Sequence, residues 1–355
     1  MKKHSTRQEA EQKKQGGVVG LDLGDRWSHY CRLEERGGKR EEGRVRTTPA
    51  AMREWLPRQG ADLVVMEVGT HSSWVSREVE AGGRRALVAD ARRVELISRN
   101  QGKSDRTDAE LLARLGRADE ALLKPIRHRG AAAQLDLTMV RARDALVRAR
   151  TQLVNTVRGL VKGTGERLPS CSAEAFAQRA GATLPASLRA ALGPLLDMIR
   201  ALTQKIGGLD RQVERVAKRY PETECLRQVS GVGVLTAVAY VLTLEDPRRF
   251  GRSRQVGPYL GMTPGRAQSG ECDPQKRISK AGNGYLRRLL VGSAHYILGP
   301  FGPPTALREW GLRLAARGGG NGKKRAVVAV ARKLAVLLHR LWVSGAVYQP
   351  FPAAA

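Results

Sequence analysis

Two short apolar runs near the start of the chain, each containing one acidic residue, constrain its fold most. The first spans residues 18–24 and contains Asp22, and the second spans residues 62–68 and contains Glu67 near its C-terminal end. Apolar residues fill both faces of these runs, which is typical of strands buried in the middle of a sheet. A carboxylate in such a strand must be paired, hydrogen-bonded or metal-bound to be tolerated. The two runs therefore predict a buried sheet that carries charged groups.

Weaker elements surround these two strands. Alternating polarity and turn residues predict strands over 29–35, 44–48 and 85–91 and helices over 50–56 and 72–81. The order βββαβαβα predicts an α/β domain in which helices cover an RNase H-like sheet. The rest of the chain has helical periodicity, so the predicted class is α/β plus all-α.

A further acidic element opens the next predicted helix, where residues 103–108 read Lys-Ser-Asp-Arg-Thr-Asp. Asp105 and Asp108 are three residues apart, so a helix places them on one face. Together with Asp22 and Glu67 they are the acidic set that an RNase H-like metal nuclease needs. Such oxygen ligands suit Mg²⁺, with Mn²⁺ as the alternative, and a two-metal site holds both the attacking and the leaving oxygen of a phosphodiester.

Taken singly, each of these carboxylates has a simpler explanation. The alternative for Asp22 is a turn cap leading into Gly24, and the alternative for Glu67 is a residue that precedes a helix. Taken together, the four carboxylates are predicted to be catalytic metal ligands. They would repel one another, so we expect the set to be poorly ionised or distorted without metal.

The charge of the chain limits its partners. Lys and Arg total 62 against 34 acidic residues, a net charge of +28 over 355 residues. Such an excess indicates a polyanion partner, most commonly nucleic acid, and argues against an enzyme of small metabolites. Aromatic residues make up only 5%, so stacking on single-stranded bases is not expected to be the main binding mode.

Location and redox state follow from simple patterns. The four cysteines show no Cys-x-x-Cys spacing, which argues against a zinc site or a disulfide scaffold. Residues 1–15 are polar and charged, so they predict a disordered basic tail rather than a signal peptide. No apolar run reaches membrane-spanning length. The expected location is the cytosol, without a membrane partner.

A helical spacer is predicted in the middle of the chain. Helical periodicity extends from residue 131 to about 163, and residues 195–216 keep a four-three alternation of apolar positions. That alternation is typical of a coiled-coil seam, which we expect to pair with another subunit. The alternative is an antiparallel hairpin within one chain.

Two later stretches offer phosphate contacts. Gly231 and Gly233 form a Gly turn that opens a helix, as in helix-hairpin-helix modules that present backbone N–H groups to a DNA phosphate. A plain helix connection is the alternative. Lys323 and Lys324 open a basic amphipathic helix that ends near residue 343. It is predicted either to contact nucleic acid or to pack in the core with a solvated basic face.

A serine between these stretches is the candidate nucleophile. A hydroxyl that attacks a phosphodiester needs exposure, a route for its proton and cations over the developing charge. Ser269 lies in a Gln-Ser-Gly loop, which suits exposure, although no general base is evident and a plain turn residue is the alternative. The cations that follow it are Arg277, Lys280, Arg287 and Arg288. The rival serine is Ser279, which could instead be a helix cap.

These motifs resemble those of a known family. Gly-Leu-Asp at 20–22, Met-Glu-Val-Gly at 66–69 and Lys-Ser-Asp-Arg-Thr-Asp-Ala at 103–109 resemble the Asp-Glu-Asp-Asp (DEDD) domain of the bacterial insertion-sequence transposases called bridge-RNA-guided recombinases, which are related to Piv-type DNA invertases. Many members carry a Gly and an aromatic residue shortly after the Glu, and Gly69 and Trp74 are the nearest equivalents here.

The C-terminal part resembles the serine domain of the same family. The matching stretches are Leu-Gly-Met-Thr-Pro at 260–264, Ser-Gly at 269–270, Ile-Ser-Lys-Ala-Gly-Asn at 278–283, Leu-Arg-Arg at 286–288 and Ala-Arg-Lys-Leu at 331–334. The resemblance covers roughly residues 18–348 and implies three parts, which follow the predicted basic tail (1–15). These are a RuvC-like DEDD domain with the RNase H fold (16–125), a helical coiled-coil spacer for dimerisation (126–220) and a serine transposase domain (221–348).

The resemblance also implies an activity. The family's nucleophile maps onto Ser269, which would form a phosphoserine link to DNA while the acidic domain's magnesium site assists strand exchange. The active site would combine two subunits, which implies a homodimer, or a homotetramer when donor and target DNA are both held. A guide (bridge) RNA from the element's flank would pair with both DNAs. The alternatives are a RuvC-like Holliday-junction nuclease, a DNA invertase without guide RNA and a basic RNA-binding scaffold.

Overall fold

The structure is a computed structural model that describes residues 16–34, 40–90, 105–265, 267–270, 272–274, 276–317 and 319–351. The chain divides into two compact units, Met1–Ala131 and Ala132–Ala355. The predicted basic tail over residues 1–15 lies outside the described residues, as do Lys103 and Ser104 of the acidic stretch. The boundaries predicted at residues 125 and 220 stay predictions.

A five-stranded sheet forms the centre of the first unit. Its strands are β1 (Gly17–Asp22), β2 (Trp27–Leu33), β3 (Arg40–Arg46), β4 (Ala61–Glu67) and β5 (Arg85–Ala89). Their order in the sheet is β3-β2-β1-β4-β5. β2 is antiparallel to both of its neighbours, whereas β1, β4 and β5 are parallel. The carboxyl ends of β1 and β4 therefore lie side by side at the end of the sheet where β2 begins.

Three helices complete the described part of this unit: α1 (Pro49–Trp55), α2 (Ser72–Ala81) and α3 (Asp105–Ala118). The predicted βββαβαβα order and the mixed α/β class are confirmed. Helix α1 begins where it does because the Thr48 side chain accepts a hydrogen bond from the Ala51 N–H and Pro49 occupies the first turn. β1 ends at Asp22, earlier than predicted, because residues 23–26 reverse the chain into β2.

The two faces of the sheet bury different sets of side chains. On one face, Val19 and Met66 pack with Val75 of α2. On the other face, Val18 and Val65 pack with Leu112 of α3 and its neighbours. Successive side chains of a strand point to opposite faces, so alternate residues share a face. Helix α3 therefore covers the face that carries the even-numbered residues of β1 and the odd-numbered residues of β4.

Gly20 lets α3 lie directly on β1. A methyl group at this position would lie 2.0 Å from the Ala109 carbonyl oxygen and 2.5 Å from the Ala113 amide nitrogen. These atoms belong to the helix backbone, which cannot yield as a flexible side chain can. The contact therefore requires glycine and fixes the height of α3 above the sheet.

The second unit begins with two long antiparallel helices, α4 (Ala131–Lys162) and α6 (Ala186–Ala217), with α5 (Phe176–Thr183) between them. Arg143 of α4 forms an ion pair with Asp210 of α6. Farther along, the Arg150 guanidinium donates to the Thr203 hydroxyl at 3.3 Å. The apolar seam predicted over residues 195–216 thus faces α4 of the same chain. The intramolecular hairpin is the arrangement observed, and pairing with another subunit stays a prediction.

The remaining helices pack around one apolar core. They are α7 (Glu222–Arg227), α8 (Val234–Leu244), α9 (Val256–Tyr259), α10 (Gly284–Leu298), α11 (Ala306–Ala316) and α12 (Gly322–Ser344). α8 is buried from Thr236 to Leu244, and the Tyr240 hydroxyl donates to the Ala335 carbonyl of α12 at 2.7 Å. This region confirms the mainly helical C-terminal part. Within the described residues, none of the helices is long and apolar enough to cross a membrane.

Candidate active sites

The strand register places two of the predicted acidic residues side by side. Leu21 of β1 pairs with Met66 of β4, so Asp22 and Glu67 are the next residues along two adjacent parallel strands. Both side chains are half-buried. Both also interact with other groups of the chain. The buried-strand pattern of the sequence predicts the strand-end position of Glu67, whereas it places Asp22 within a strand that in fact ends at this residue.

These two carboxylates share the face that α3 covers. Asp22 is on the same face as Gly20, which lies under Ala109 of α3. Glu67 is on the same face as Val65, whose side chain packs closely under Gly116 of α3. A methyl group at Gly116 would lie 2.4 Å from a methyl carbon of Val65. The first turn of α3 carries Asp105 and Asp108. All four predicted acidic residues therefore belong to one face and one end of the unit.

A histidine that sequence reasoning missed links the sheet to α3. His29 of β2 lies opposite Asp22 in the antiparallel register, and its Nδ1 atom is 3.3 Å from Oδ2 of Asp105. The Asp105 side chain is 70% exposed, and the contact with His29 connects it to the sheet. The signal in the sequence was weak, because only the exact length of the reversal over residues 23–26 brings His29 opposite Asp22.

The donor set fits a hard divalent cation, since all four predicted ligands are carboxylates. Within the described residues, however, no three His, Cys, Asp or Glu side chains are close enough together to hold a metal ion. Asp105 is exposed and Asp108 is half-buried at the start of α3. The metal-binding role of the four residues stays a prediction.

His71, which follows Glu67 closely in the sequence, has structural partners. Its Nδ1 accepts a hydrogen bond from the Trp74 indole at 3.1 Å, and its Nε2 lies 3.6 Å from Oδ1 of Asp25. Next to it, the buried Ser72 hydroxyl donates to the Gly69 carbonyl at 2.8 Å. Of the family-like residues after Glu67, Gly69 thus belongs to the turn that leads into α2, and Trp74 lies in the first turn of that helix.

Ser269 lies at the tip of an irregular hairpin formed by the described residues between 261 and 280, which we call the serine hairpin. Ser269 and Cys272 exchange both of their backbone hydrogen bonds at 3.0 Å, and Gly270 between them has φ +56°. Farther down, the Gly265 N–H donates to the Arg277 carbonyl at 3.0 Å. Ser269 is exposed, as a nucleophile requires. Its hydroxyl has no hydrogen bond to a base among the described residues.

Two glycines close the base of the serine hairpin. Gly261 (φ +65°) and Gly282 (φ +71°) have backbone conformations that favour glycine. A methyl group at Gly261 would lie 2.2 Å from the Ala281 amide nitrogen, and one at Gly282 would lie 2.1 Å from the Tyr259 carbonyl oxygen. Backbone thus packs on backbone at this point. The Leu-Gly-Met-Thr-Pro and Lys-Ala-Gly-Asn stretches meet here.

Arg287 and Asn283 brace this base. Nη1 of Arg287 donates to the Leu260 carbonyl at 2.8 Å and to the Ala281 carbonyl at 2.9 Å, and burial lowers the pKa of Arg287. Asn283 caps α10 by accepting from the N–H groups of Tyr285 and Leu286, and its amide donates to the Thr243 hydroxyl at 3.2 Å. These hydrogen bonds give Arg287 a structural role. Its predicted contact with nucleic acid stays a prediction.

The other predicted contacts differ in availability. Arg277, Lys280, Lys323 and Lys324 are exposed, whereas Arg288 is ion-paired with Asp144 at 2.7 Å. α12 buries its apolar face from Ala326 to Leu341, so its core-packing role is observed and its contact with nucleic acid stays a prediction.

Two alternatives raised by the sequence can be compared with the structure. The Ser279 hydroxyl accepts from the Ala281 N–H at 3.4 Å, and Asn283 caps α10, so the helix-cap alternative for Ser279 is not observed. The Gly turn is present: Gly231 has φ +87° and Gly233 immediately precedes α8. Gly231 packs against Ser293 and Tyr296 of α10, while Gly233 is exposed.

Two family profiles match the chain. Residues 19–165 match the profile of the DEDD transposase domain of the IS110 type, described as a transposase. Residues 223–305 match the profile described as the transposase IS116/IS110/IS902 family. The first match contains the four acidic residues, and the second contains the serine hairpin.

Curated relatives match over most of the chain. The transposase for insertion sequence element IS1111A of Coxiella burnetii is 27% identical over 342 residues, which cover 91% of this chain and 89% of the relative. A probable family 20 transposase of Pseudomonas aeruginosa is 29% identical, over 85% of this chain and 90% of the relative. A putative transposase of Sinorhizobium fredii, y4pF/y4sB, is 30% identical over 70% of this chain and 65% of the relative.

Proposed function

The chain belongs to the IS110/IS116 family of insertion-sequence transposases, and from this premise we propose that it cuts and rejoins DNA with Ser269 as nucleophile and a Mg²⁺-dependent acidic site. The acidic site comprises Asp22, Glu67, Asp105 and Asp108. Its proposed substrates are donor and target DNA.

The exposure of Ser269 on a braced hairpin is the observation that carries this proposal. The base of the hairpin is fixed by close backbone packing and by Arg287, so its tip is presented to a substrate rather than packed in a core. The exposed cations Arg277 and Lys280 lie on the same hairpin, where they can balance the charge of an attacked phosphate.

The proposed chemistry is two successive transesterifications. The Ser269 hydroxyl loses its proton as its oxygen forms a bond to the DNA phosphorus, and the bond from that phosphorus to one DNA oxygen breaks, so that this oxygen gains a proton and leaves as a DNA hydroxyl. In the second step a hydroxyl of the partner strand loses its proton and displaces Ser269, which regains a proton. The number of phosphodiester bonds is conserved, so no external energy source is required.

We assign the first unit an RNase H-like, RuvC-like role in this reaction. The strand order and the antiparallel β2 support that assignment, as do the carboxylates at the ends of β1 and β4. Bound Mg²⁺ would supply Lewis-acid stabilisation of phosphate charge at these four side chains. His29 would hold Asp105 in position through the contact at 3.3 Å.

We also propose that the complete site needs more than one subunit. Among the described residues no base contacts the Ser269 hydroxyl, which supports a composite site in a homodimer, or a homotetramer when two DNAs are held. A guide RNA encoded by the element would select donor and target. RNA sequencing of nucleic acid that co-purifies with the protein, expressed with its native flanking DNA, tests this part: a discrete RNA from one flank is the expected result.

Adduct formation tests the nucleophile. Wild-type protein incubated with its element ends and Mg²⁺ should give a covalent DNA–protein adduct on denaturing gels, and Ser269→Ala should lose it. Ser279→Ala is the matched control, because Ser279 belongs to the same hairpin and should keep the adduct. Loss with Ser279→Ala alone would identify the other serine. DNA cleavage by the wild type without any adduct would identify a water-using junction nuclease instead.

A further inference from the structure

An exposed cluster of one tryptophan and two arginines lies on the edge of the sheet, and we call it the Arg–Trp cluster. The guanidinium carbons of Arg44 and Arg46 lie 4.6 Å and 5.2 Å from the centre of the Trp27 ring. Trp27 is 37% exposed, and both arginines are exposed. Trp27 pairs directly with Arg46 in the β2–β3 register, so the backbone itself fixes this grouping.

The cluster has an excess of positive charge. Within the described residues neither Arg44 nor Arg46 forms an ion pair with a carboxylate. Two guanidiniums that share one ring repel each other, and each cation–π contact at an exposed site contributes only about 0.5–1 kcal/mol of stabilisation. A phosphate between them would remove the repulsion, and the planar guanidinium matches phosphate oxygens in a bidentate way. The ring holds the two side chains ready and lowers the entropy that binding would cost.

The position of the cluster points to its ligand. β2 starts at Trp27 and β3 ends at Arg46. Trp27 and Arg46 therefore lie at the end of the sheet where β1 ends with Asp22. Residues 27 and 29 share a face, and His29 lies opposite Asp22 and contacts Asp105. The cluster and the acidic residues therefore occupy the same face and the same end of one sheet. β2 lies between β3, which carries the two arginines, and β1, which carries Asp22.

We propose that the Arg–Trp cluster binds the phosphodiester backbone of the DNA strand on which the acidic residues act. This inference rests on the proposed function, since it assigns a DNA-positioning surface to that same site. The contact is independent of sequence, because it involves phosphates and not base edges. It orients the strand from the β3 edge towards β1.

Salt dependence of binding measures such a contact. Binding of the full-length protein to a random-sequence, fluorescein-labelled DNA duplex is measured by anisotropy over a series of salt concentrations in EDTA, so that no cleavage is required. Each phosphate contact contributes about 0.9 to the slope of log K against log salt concentration. The double variant Arg44→Gln/Arg46→Gln should therefore lose about 2 from this slope. Arg44→Lys/Arg46→Lys should keep the slope and bind more weakly, because the charge remains and the planar geometry is lost.

The matched control removes the same charge from the other end of the sheet. Arg58 precedes β4 and Arg85 begins β5, and both side chains are exposed. Arg58→Gln/Arg85→Gln should leave the slope unchanged. Trp27→Leu keeps both charges but removes the ring, so its affinity should fall by severalfold at an unchanged slope. Unchanged melting temperatures of all variants verify that they fold.

Each remaining outcome decides the question. An equal slope for the cluster variant and the control variant would overturn the inference, even if Mg²⁺-dependent cleavage by the wild type upholds the proposed function. A slope that falls only with an RNA of the same sequence would also overturn it, because the surface would then hold RNA. A slope that falls on DNA while the wild type cuts no DNA would uphold the surface and overturn the proposed function.

Discussion

The acidic site and the serine hairpin are built in opposite ways. The acidic residues come from β1, β4 and α3, which are far apart in the sequence, and the packing of α3 on Gly20 holds them on one face. The serine hairpin is a local segment whose base is closed by its own glycines and by Arg287. One site therefore depends on the global fold of its unit, and the other depends on a few backbone contacts. Substitutions should separate these two kinds of dependence.

The largest expected effect is on the acidic site. Asp105→Asn removes a charge at an exposed position, so the fold and nucleic-acid binding should be retained. Strand cleavage in Mg²⁺ should fall by at least about 10²–10³-fold, the scale on which loss of one group that stabilises the transition state reduces the rate. Single-turnover cleavage assays measure this. Glu110→Gln on the same helix is the control, and cleavage by Asp105→Asn at the wild-type rate would exclude Asp105 from the site.

The serine hairpin should be sensitive at its base. Gly261→Ala places a methyl group 2.2 Å from the backbone of Ala281 and in a positive-φ conformation. A shift of about 1 Å at the tip would reduce adduct formation by roughly 10²-fold. The rate of adduct formation is the measurement, and Gly251→Ala is the control because a methyl group there meets no atom within 4 Å. Equal rates for both variants would show that the base does not position Ser269.

Stability should respond in the first unit. Gly20→Ala forces the backbone of α3 away from β1, which costs about 1–3 kcal/mol of unfolding free energy. Chemical denaturation measures this difference. Gly69→Ala is the matched control, since a methyl group there meets no atom within 4 Å. If the two variants were equally stable, α3 would not be fixed by Gly20, and the comparison with the hairpin would lose its basis.

The smallest expected effect is a pH dependence of the same unit. Burial, with Arg129 and Arg77 nearby, lowers the pKa of His128, whose Nε2 lies 2.8 Å from the Ser72 hydroxyl. The folded state therefore binds fewer protons than the unfolded state, and stability is lost as the pH falls through the unfolded value of about 6.5. Melting curves at several pH values should show this loss for the wild type and a smaller loss for His128→Gln. An identical pH dependence would exclude His128 as its source.

The sequence carried much of the fold because buried strands and helix periodicity are local patterns. Apolar runs, alternating polarity and turn residues predict the order βββαβαβα and the position of Glu67 at a strand end, whereas Asp22 is predicted inside a strand and instead ends β1. His29 could not be predicted, since its position opposite Asp22 depends on the register that residues 23–26 set. The brace made by Arg287 was also hidden, because it depends on carbonyls that Gly261 and Gly282 bring together in space.

The seam over residues 195–216 shows a different limit. A four-three alternation states that a helix has an apolar partner but not which helix that partner is. Here the partner is α4 of the same chain, as the ion pair between Arg143 and Asp210 demonstrates.

The helical hairpin of α4 and α6 sets a fixed distance within the second unit. α4 and α6 each contain 32 residues. At 1.5 Å per residue, each is about 48 Å long. Leu137 and Val216, at one end, belong to the core that α8 and α12 build, whereas Val157 and Ile199 pack with Phe176 near the other end. Since base pairs rise 3.4 Å, this length equals about 14 base pairs of DNA. A group carried at the distal tip would thus engage a duplex more than one helical turn away from a group in the helical core.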